Sequence, residues 1–310
     1  MESDPALPVA SGSLPLRDFI DPLLVDPGPA LLRAVVDAFR EAAPALVDPD
    51  IDELRAAATA EGDPLAEPTG LPPLTVLADE AVVDGVTERF SAASRLAALV
   101  EADVCRLLTG ISAQPNPVLA GGDRGCVLVP VGGGDTAPDA TRAPDATRAP
   151  DRWVPIGDDP SLRERYASLV EASADVEEYG LRTPSRHRLY TAFRNRCDTP
   201  LADDVIRAID ADPEPGADEG GVDSRTRAYA VGVCHGALDG DLRRACEDAG
   251  LGSRSTFTRI KREFREAGLL ATEPVPQPVG RPRERLVARG ALADAESPPA
   301  IIAAVRAGVA

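Results

Sequence analysis

The sequence predicts two folded parts of different class: an α/β N-terminal domain, then a helical connector and a C-terminal α+β domain built on three helices. Three observations predict it. A chain of 310 residues is long for a single average domain. Strand-like and helix-like apolar runs alternate through its first half. The charge is divided unevenly: 51 acidic against 33 basic side chains give a formal net charge of -18, yet residues 223–289 hold 13 basic and nine acidic side chains, a net of +4, leaving -22 to the rest.

Residues 1–13 are read as a disordered N-terminus. Glu2 and Asp4 stand where a signal peptide needs positive charge, and no apolar run approaches the 18 or so residues of a membrane span, so the sequence predicts a cytoplasmic protein with no membrane partner. The α/β domain is placed at 14–183. Leu31, Leu32, Val35, Val36 and Phe39 form one stripe of an amphipathic helix over 28–43, which Pro44 ends. The run at 74–78 (LTVLA) is a strand, followed by a helical pattern through Val82, Val86, Phe90, Leu96 and Val100. Strands are expected at 104–109, 117–120 and 126–131, the last two joined by a Gly-rich turn. A helix at 160–173 and a strand near 176–182 complete the domain. Within it, 136–151 repeats APDATR and is read as a disordered surface insertion. A helical connector is placed at 184–211 and an acidic linker at 212–222, whose Asp210, Asp212 and Glu214 imitate a calcium loop only until Pro215 and Gly221 break the pattern.

The next domain is placed at 223–290. Helices are predicted at 225–238 and 241–249, with Gly250-Leu251-Gly252 as a tight connector and Ser253 as N-cap of a third helix that Gly268 stops. On that third helix Phe257, Ile260 and Phe264 share an inward face, so Arg254, Ser255, Thr258, Arg259 and Arg262 look outward. Two helices on a short Gly-containing turn, the second arginine-rich outside, make the helix-turn-helix layout that sets a recognition helix in the major groove of DNA. Strands at 269–272 and 285–288 flank a Gly-Arg-Pro tip, and the whole resembles a winged helix-turn-helix. Residues 252–289 alone carry nine basic and four acidic side chains, the electrostatic footprint of a polyanion site. The sequence therefore assigns base-edge contacts to Ser255, Thr258 and Arg259, backbone contacts to Arg254, Lys261 and Arg262, and the wing to Arg281 and Arg283. A helix over 291–310, with Ile301, Ile302 and Val305 on one stripe, is a candidate dimer surface; burial of that stripe within the monomer is the open alternative.

A second basic cluster lies at 181–197, where Arg182, Arg186, Arg188, Arg194 and Arg196 occur without an acid. Arg182, Arg186 and Arg188 are candidates for binding phosphate or another anion; the alternative is intramolecular pairing. Lys261 is the one lysine among the 33 basic residues. Abundant acid with arginine as almost the sole cation resembles the composition of haloarchaeal proteins that work in molar salt. Together with the segment EYGLRTPSRHRLYTAFRNRC (178–197) and the winged helix, it resembles the haloarchaeal transcriptional regulators of the TbsP type. That resemblance implies a DNA-binding regulator with an N-terminal α/β domain in front of a C-terminal winged helix; the N-terminal domain is expected to sense a small-molecule effector or partner, and winged-helix regulators usually dimerise.

Other function classes find little support. The chain has no GxSxG elbow, no GxGxxG after a strand, no P-loop and no HExxH, so no enzyme and no cofactor are expected. Asp158-Asp159 and Asp203-Asp204 are read as carboxylates at helix starts. The five cysteines show no CxxC pair, and neither a disulfide frame nor a metal site is expected. A protein-interaction module using the same winged helix is the remaining alternative.

Overall fold

In a computed structural model the chain divides into two compact units. The described residues are 4–9, 12–60, 70–111, 113–122, 124–129, 152–157, 161–172, 176–211, 222–278 and 282–309; the repeat insertion at 136–151 and most of the acidic linker lie outside them.

The first unit opens with a hairpin, β1 (Ala6–Val9) against β2 (Gly12–Pro15). This departs from the disordered N-terminus expected at 1–13. Leu7 is completely buried, but two four-residue strands interrupted by proline, glycine and serine (ALPV and GSLP) are too short to show a period. After β3 (Leu23–Val25) come α1 (Pro29–Ala42) and a short α2 (Pro44–Val47). Pro44 ends α1 as expected and, at the first position of a helix where its missing N–H costs nothing, starts the next. Helix α3 (Ile51–Thr59) belongs to the second unit. The first unit resumes with β4 (Leu74–Ala78), α4 (Glu80–Thr87), α5 (Phe90–Glu101), β5 (Cys105–Thr109), β6 (Val118–Gly121), β7 (Arg124–Val129), β8 (Arg152–Gly157), α6 (Ser161–Ala172) and β9 (Glu177–Glu178).

Seven of these strands form one mixed sheet in the order β8-β7-β6-β3-β4-β5-β9. The inner strands β3, β4 and β5 are parallel, as the strand-helix alternation requires, and the outer pairings are antiparallel. Leu23, Val25, Leu77, Leu108, Val118 and Ala120 make a core on one face, with Tyr166 of α6 packed on it. The alternating residues Leu24, Val76, Leu107 and Leu119 are buried as well, so both faces are covered, which is why these strands read as continuous apolar runs.

The second unit contains α3, α7 (Arg186–Arg196), α8 (Thr199–Asp210), α9 (Ser224–Cys234), α10 (Asp239–Asp248), α11 (Arg254–Glu266), β10 (Leu270–Val275), β11 (Arg283–Ala288) and α12 (Pro298–Val309). Its core gathers Tyr190, Phe193, Tyr229, Phe257, Phe264 and the aliphatic side chains of α8 and α12. The residues read as a connector, 184–211, are thus two core helices of this unit. Helix α3 is fixed by a capping box in which Asp50 and Glu53 each accept the other's backbone N–H at 2.8 Å. Its Arg55 donates to buried Asp203 on α8 at 2.5 Å, and the same carboxylate accepts from Tyr190 at 3.0 Å. Asp203 is therefore a mid-helix ion-pair partner, and Asp198 is the residue that caps α8. On α12 the stripe of Ile301, Ile302 and Val305 is buried within the unit.

Candidate nucleic-acid interface

Helices α9, α10 and α11 and the β10–β11 hairpin form the part of the second unit where the basic island lies. Gly250, at φ +81°, and Gly268, at φ +70°, adopt the left-handed conformation that ends α10 and α11. Ser253 occupies the N-cap position of α11, but its hydroxyl meets Ser255 Oγ at 2.7 Å and makes no bond to the helix backbone. Phe257, Ile260 and Phe264 are buried. Tyr229 of α9 lies between the two aromatics, stacked on Phe257 at 6.1 Å between ring centroids and edge-on to Phe264 at 6.0 Å. This fixes which face of α11 is left to solvent: Arg254, Ser255, Thr258, Arg259 and Arg262 are all exposed. Arg259 and Arg262 are paired only along the helix, with Glu263 at 2.8 Å and Glu266 at 3.8 Å, and keep 55% and 68% of their side chains accessible. Such pairs are worth a few tenths of a kcal/mol and yield readily to a phosphate.

Lys261 departs from its assignment as a backbone contact. Its side chain is only 7% exposed, and its ammonium donates to Asp239 Oδ2 at 2.9 Å and Glu284 Oε2 at 2.6 Å. It follows Ile260 by one residue and so shares the flank of the buried stripe, where an ammonium requires carboxylate partners. The hydrogen bond from Lys261 holds the Glu284 carboxyl below its ordinary pKa. Arg283, assigned to the wing, forms an ion pair with Asp241 in the first turn of α10. Arg281 lies outside the described residues.

Asp239 was not among the residues singled out from the sequence. Besides Lys261 it accepts from Tyr229 Oη at 2.9 Å and from Arg243, whose Nε reaches Oδ1 at 3.1 Å and whose Nη2 reaches Oδ2 at 2.9 Å. Arg243 Nη1 then donates to Thr258 Oγ1 at 2.9 Å. The spacing Asp239/Arg243 is a legible i, i+4 pair; no local signal announces Lys261 as the third member. Helix α10 also exposes Arg244, which the sequence reading passed over. The hairpin is antiparallel, Leu270 opposite Ala288 through Val275 opposite Arg283, and Leu238 adds a single bridge to Arg285.

The second basic cluster has a different fate. Arg186 donates to Pro49 O at 2.9 Å and pairs with Asp210 at 2.5 Å, Arg188 donates to Asp248 O at 3.1 Å, Arg194 to Ala58 O at 2.5 Å, and Arg196 pairs with Asp248 at 2.7 Å. Arg186, with a largely buried side chain, is engaged inside the unit by the Pro49 carbonyl and the Asp210 carboxylate, whereas Arg188 bonds the Asp248 carbonyl through Nε and remains exposed. Arg182, before α7, is exposed.

In the first unit a cavity of about 440 Å³ opens at the carboxyl ends of β4 and β5, lined by Asp79, Glu80, Ala81, Asp84, Gly110 and Ile111. Burial pushes the Cys105 thiol up to about 12 and the Cys234 thiol up to about 11, which removes their nucleophilic character at neutral pH. Among the described residues no cluster of three or more His, Cys, Asp or Glu side chains could hold a metal ion, and no helix is long and apolar enough to cross a membrane.

Two helices on a glycine turn, the second with a packed aromatic face and a cationic polar one, define a helix-turn-helix protein. The family comparison agrees: residues 185–306 match the model described as "Transcriptional regulator TbsP-like, C-terminal HTH domain". Residues 29–138 match its companion, "Transcriptional regulator TbsP-like, N-terminal". The two matches follow the chain's own order and take in most of it, so the chain belongs to the TbsP-like transcriptional regulators, and the family supports a DNA-binding role. The C-terminal match begins where α7 begins, in line with the place of α7 and α8 in the second unit. No curated protein and no solved structure matches the chain.

Proposed function

We propose that this regulator binds promoter DNA sequence-specifically, with α11 as the recognition helix in the major groove and the β10–β11 hairpin as the wing of a winged helix. The observation that carries this reading is the division of α11 into a buried face of Phe257, Ile260 and Phe264 and an exposed one of Arg254, Ser255, Thr258, Arg259 and Arg262. Ser255, Thr258 and Arg259 address base edges, with Arg259 suited to a bidentate bond to guanine. Arg254 and Arg262 address phosphates. Arg281 and Arg283 serve the wing, Arg283 by exchanging Asp241 for the DNA backbone. The protein acts by binding, not by catalysis, as a homodimer on two half-sites, and the N-terminal unit modulates it through a small-molecule effector. The cavity at the carboxyl ends of parallel strands β4 and β5 supports that role, since open α/β sheets receive ligands there; its three carboxylates suit a neutral or cationic molecule. The arginine-rich, lysine-poor composition supports work at high salt in a halophilic archaeon, where counterion release contributes little and shaped arginine contacts contribute more.

The test is enrichment of random duplexes by the purified protein across a KCl series, followed by anisotropy on the enriched duplex. Sequence enrichment that Arg259→Ala and Arg281→Ala each weaken supports the reading. A wild-type protein that binds no duplex at any KCl concentration overturns it in favour of a protein-interaction module.

A further inference from the structure

One carboxylate ties together the three helices of the proposed reading head. Asp239, the first residue of α10, accepts from α9 through Tyr229, from its own helix through Arg243 and from α11 through Lys261, and Lys261 carries the link on to Glu284 of β11. Arg243 continues the chain outward to Thr258, whose hydroxyl also donates to Arg254 O at 2.8 Å. The side chains of Asp239, Lys261 and Arg243 are 13%, 7% and 16% exposed, so these bonds form where water competes poorly.

The geometry points to Asp239 as a positioning residue for DNA reading: it sets the roll of α11 about its own axis and its angle to the hairpin, and thereby aims Thr258 and Arg259. This rests on the reading of α11 as the recognition helix. The packing of Phe257 and Phe264 on Tyr229 fixes how deep α11 sits and which face looks outward; the last few degrees of its roll are left to directional polar contacts. A salt bridge from Lys261 and the Arg243–Thr258 hydrogen bond are directional and leave one angle. Misplacement by about 1 Å is enough to weaken a site whose contacts are bidentate. Contacts to the phosphate backbone tolerate that shift, because they depend on charge more than on angle.

The consequence separates positioning from general structure. Asp239→Asn removes one negative charge beside the DNA face. Non-specific affinity then holds or rises, while affinity for the chosen sequence falls. Loss of fold would lower both.

The experiment uses the full chain. A duplex enriched by the wild type from a random library is the specific probe, and a scrambled duplex of the same composition is the non-specific one. The expected result for Asp239→Asn is a specific-to-non-specific affinity ratio at least tenfold lower, with scrambled-duplex affinity equal to or tighter than wild type. Arg243→Lys keeps the charge but loses the reach to Thr258, and guards against a folding defect in the first variant; the expected fall in the ratio is about threefold to tenfold. An unchanged ratio in folded Asp239→Asn and Arg243→Lys, or a parallel loss on both duplexes, overturns the positioning role. A wild type that enriches no sequence overturns instead the recognition-helix reading beneath it.

Discussion

Helices α7 and α11 are both rich in arginine, and they use it in opposite ways. On α7 the guanidinium groups of Arg186, Arg188, Arg194 and Arg196 turn onto neighbouring segments of the same unit. Apart from the Pro49 carbonyl that Arg186 also bonds, their acceptors share a feature: Ala58, Asp210 and Asp248 lie in the last turns of α3, α8 and α10. Helix C-termini leave carbonyls without intrahelical partners and carry partial negative charge, so they attract cations. Buried Arg227 does the same for the end of α8, donating to Ala208, Ile209 and Ala211. On α11, Arg259 and Arg262 pair with carboxylates one turn along their own helix. A count of charges locates cations; the acceptors around them decide whether a ligand can use them.

The largest effect that tests this contrast belongs to α11. Arg259→Ala is expected to weaken binding of the enriched duplex by about 1–3 kcal/mol, roughly fivefold to 150-fold, with an unchanged thermal midpoint, since its intrahelical pair contributes only tenths of a kcal/mol. Anisotropy titration and thermal melting on the same preparation check both halves. The mirror image is Arg186→Ala, which takes a donor from the carbonyl of buried Pro49, while half-exposed Asp210 stays hydrated. A stability loss of about 1–3 kcal/mol in urea is expected, with duplex affinity of the folded protein unchanged; a loss of affinity at constant stability would return α7 to the ligand surface.

Lys261→Met sharpens the contrast within α11 itself. A phosphate contact would lower the slope of log K against log[salt] by about one when removed. The buried position predicts no change in that slope, and a stability change within about 1 kcal/mol, because Met fills the same space and Arg243 still balances Asp239.

The smallest effect is a pH dependence. Glu284 has a depressed pKa in the folded state, so its contribution is present above the ordinary glutamate value and is lost as pH falls through the depressed one. Glu284 is half-exposed, which keeps the effect to tenths of a kcal/mol. Glu284→Gln should flatten the acid limb of a stability profile below about pH 4.5 and leave the neutral region alone.

The helices that were legible are those whose apolar spacing is strong over several turns. The stripe of α1 and the inward face of α11 are both buried where the 3.6-residue period puts them. Strand β3, three residues between Pro22 and Asp26, is too short to show a period, and the continuous helical pattern across 82–100 conceals a break between α4 and α5 at Glu88 and Arg89. Within the site, solvent-facing residues of α11 could be read from spacing alone. The burial of Lys261 could not, because its partners come from Asp239 and Glu284, 22 and 23 residues away in the chain. For the same reason α3 carries a readable capping box at its start but no local sign of which unit it joins.

That last feature has a bearing on biosynthesis. Arg55 leaves the ribosome 148 residues ahead of Asp203, its partner. At translation rates of roughly 5–20 residues per second, α3 waits on the order of ten to thirty seconds for the helices it docks against. During that interval its apolar side is uncovered and Arg55 has only its own helix's Asp52 to pair with, while every strand of the first unit's sheet except β3 is synthesised later. The second unit is therefore completed by a piece made long before the rest of it, and a fragment expressed from residue 181 onward would lack that piece altogether.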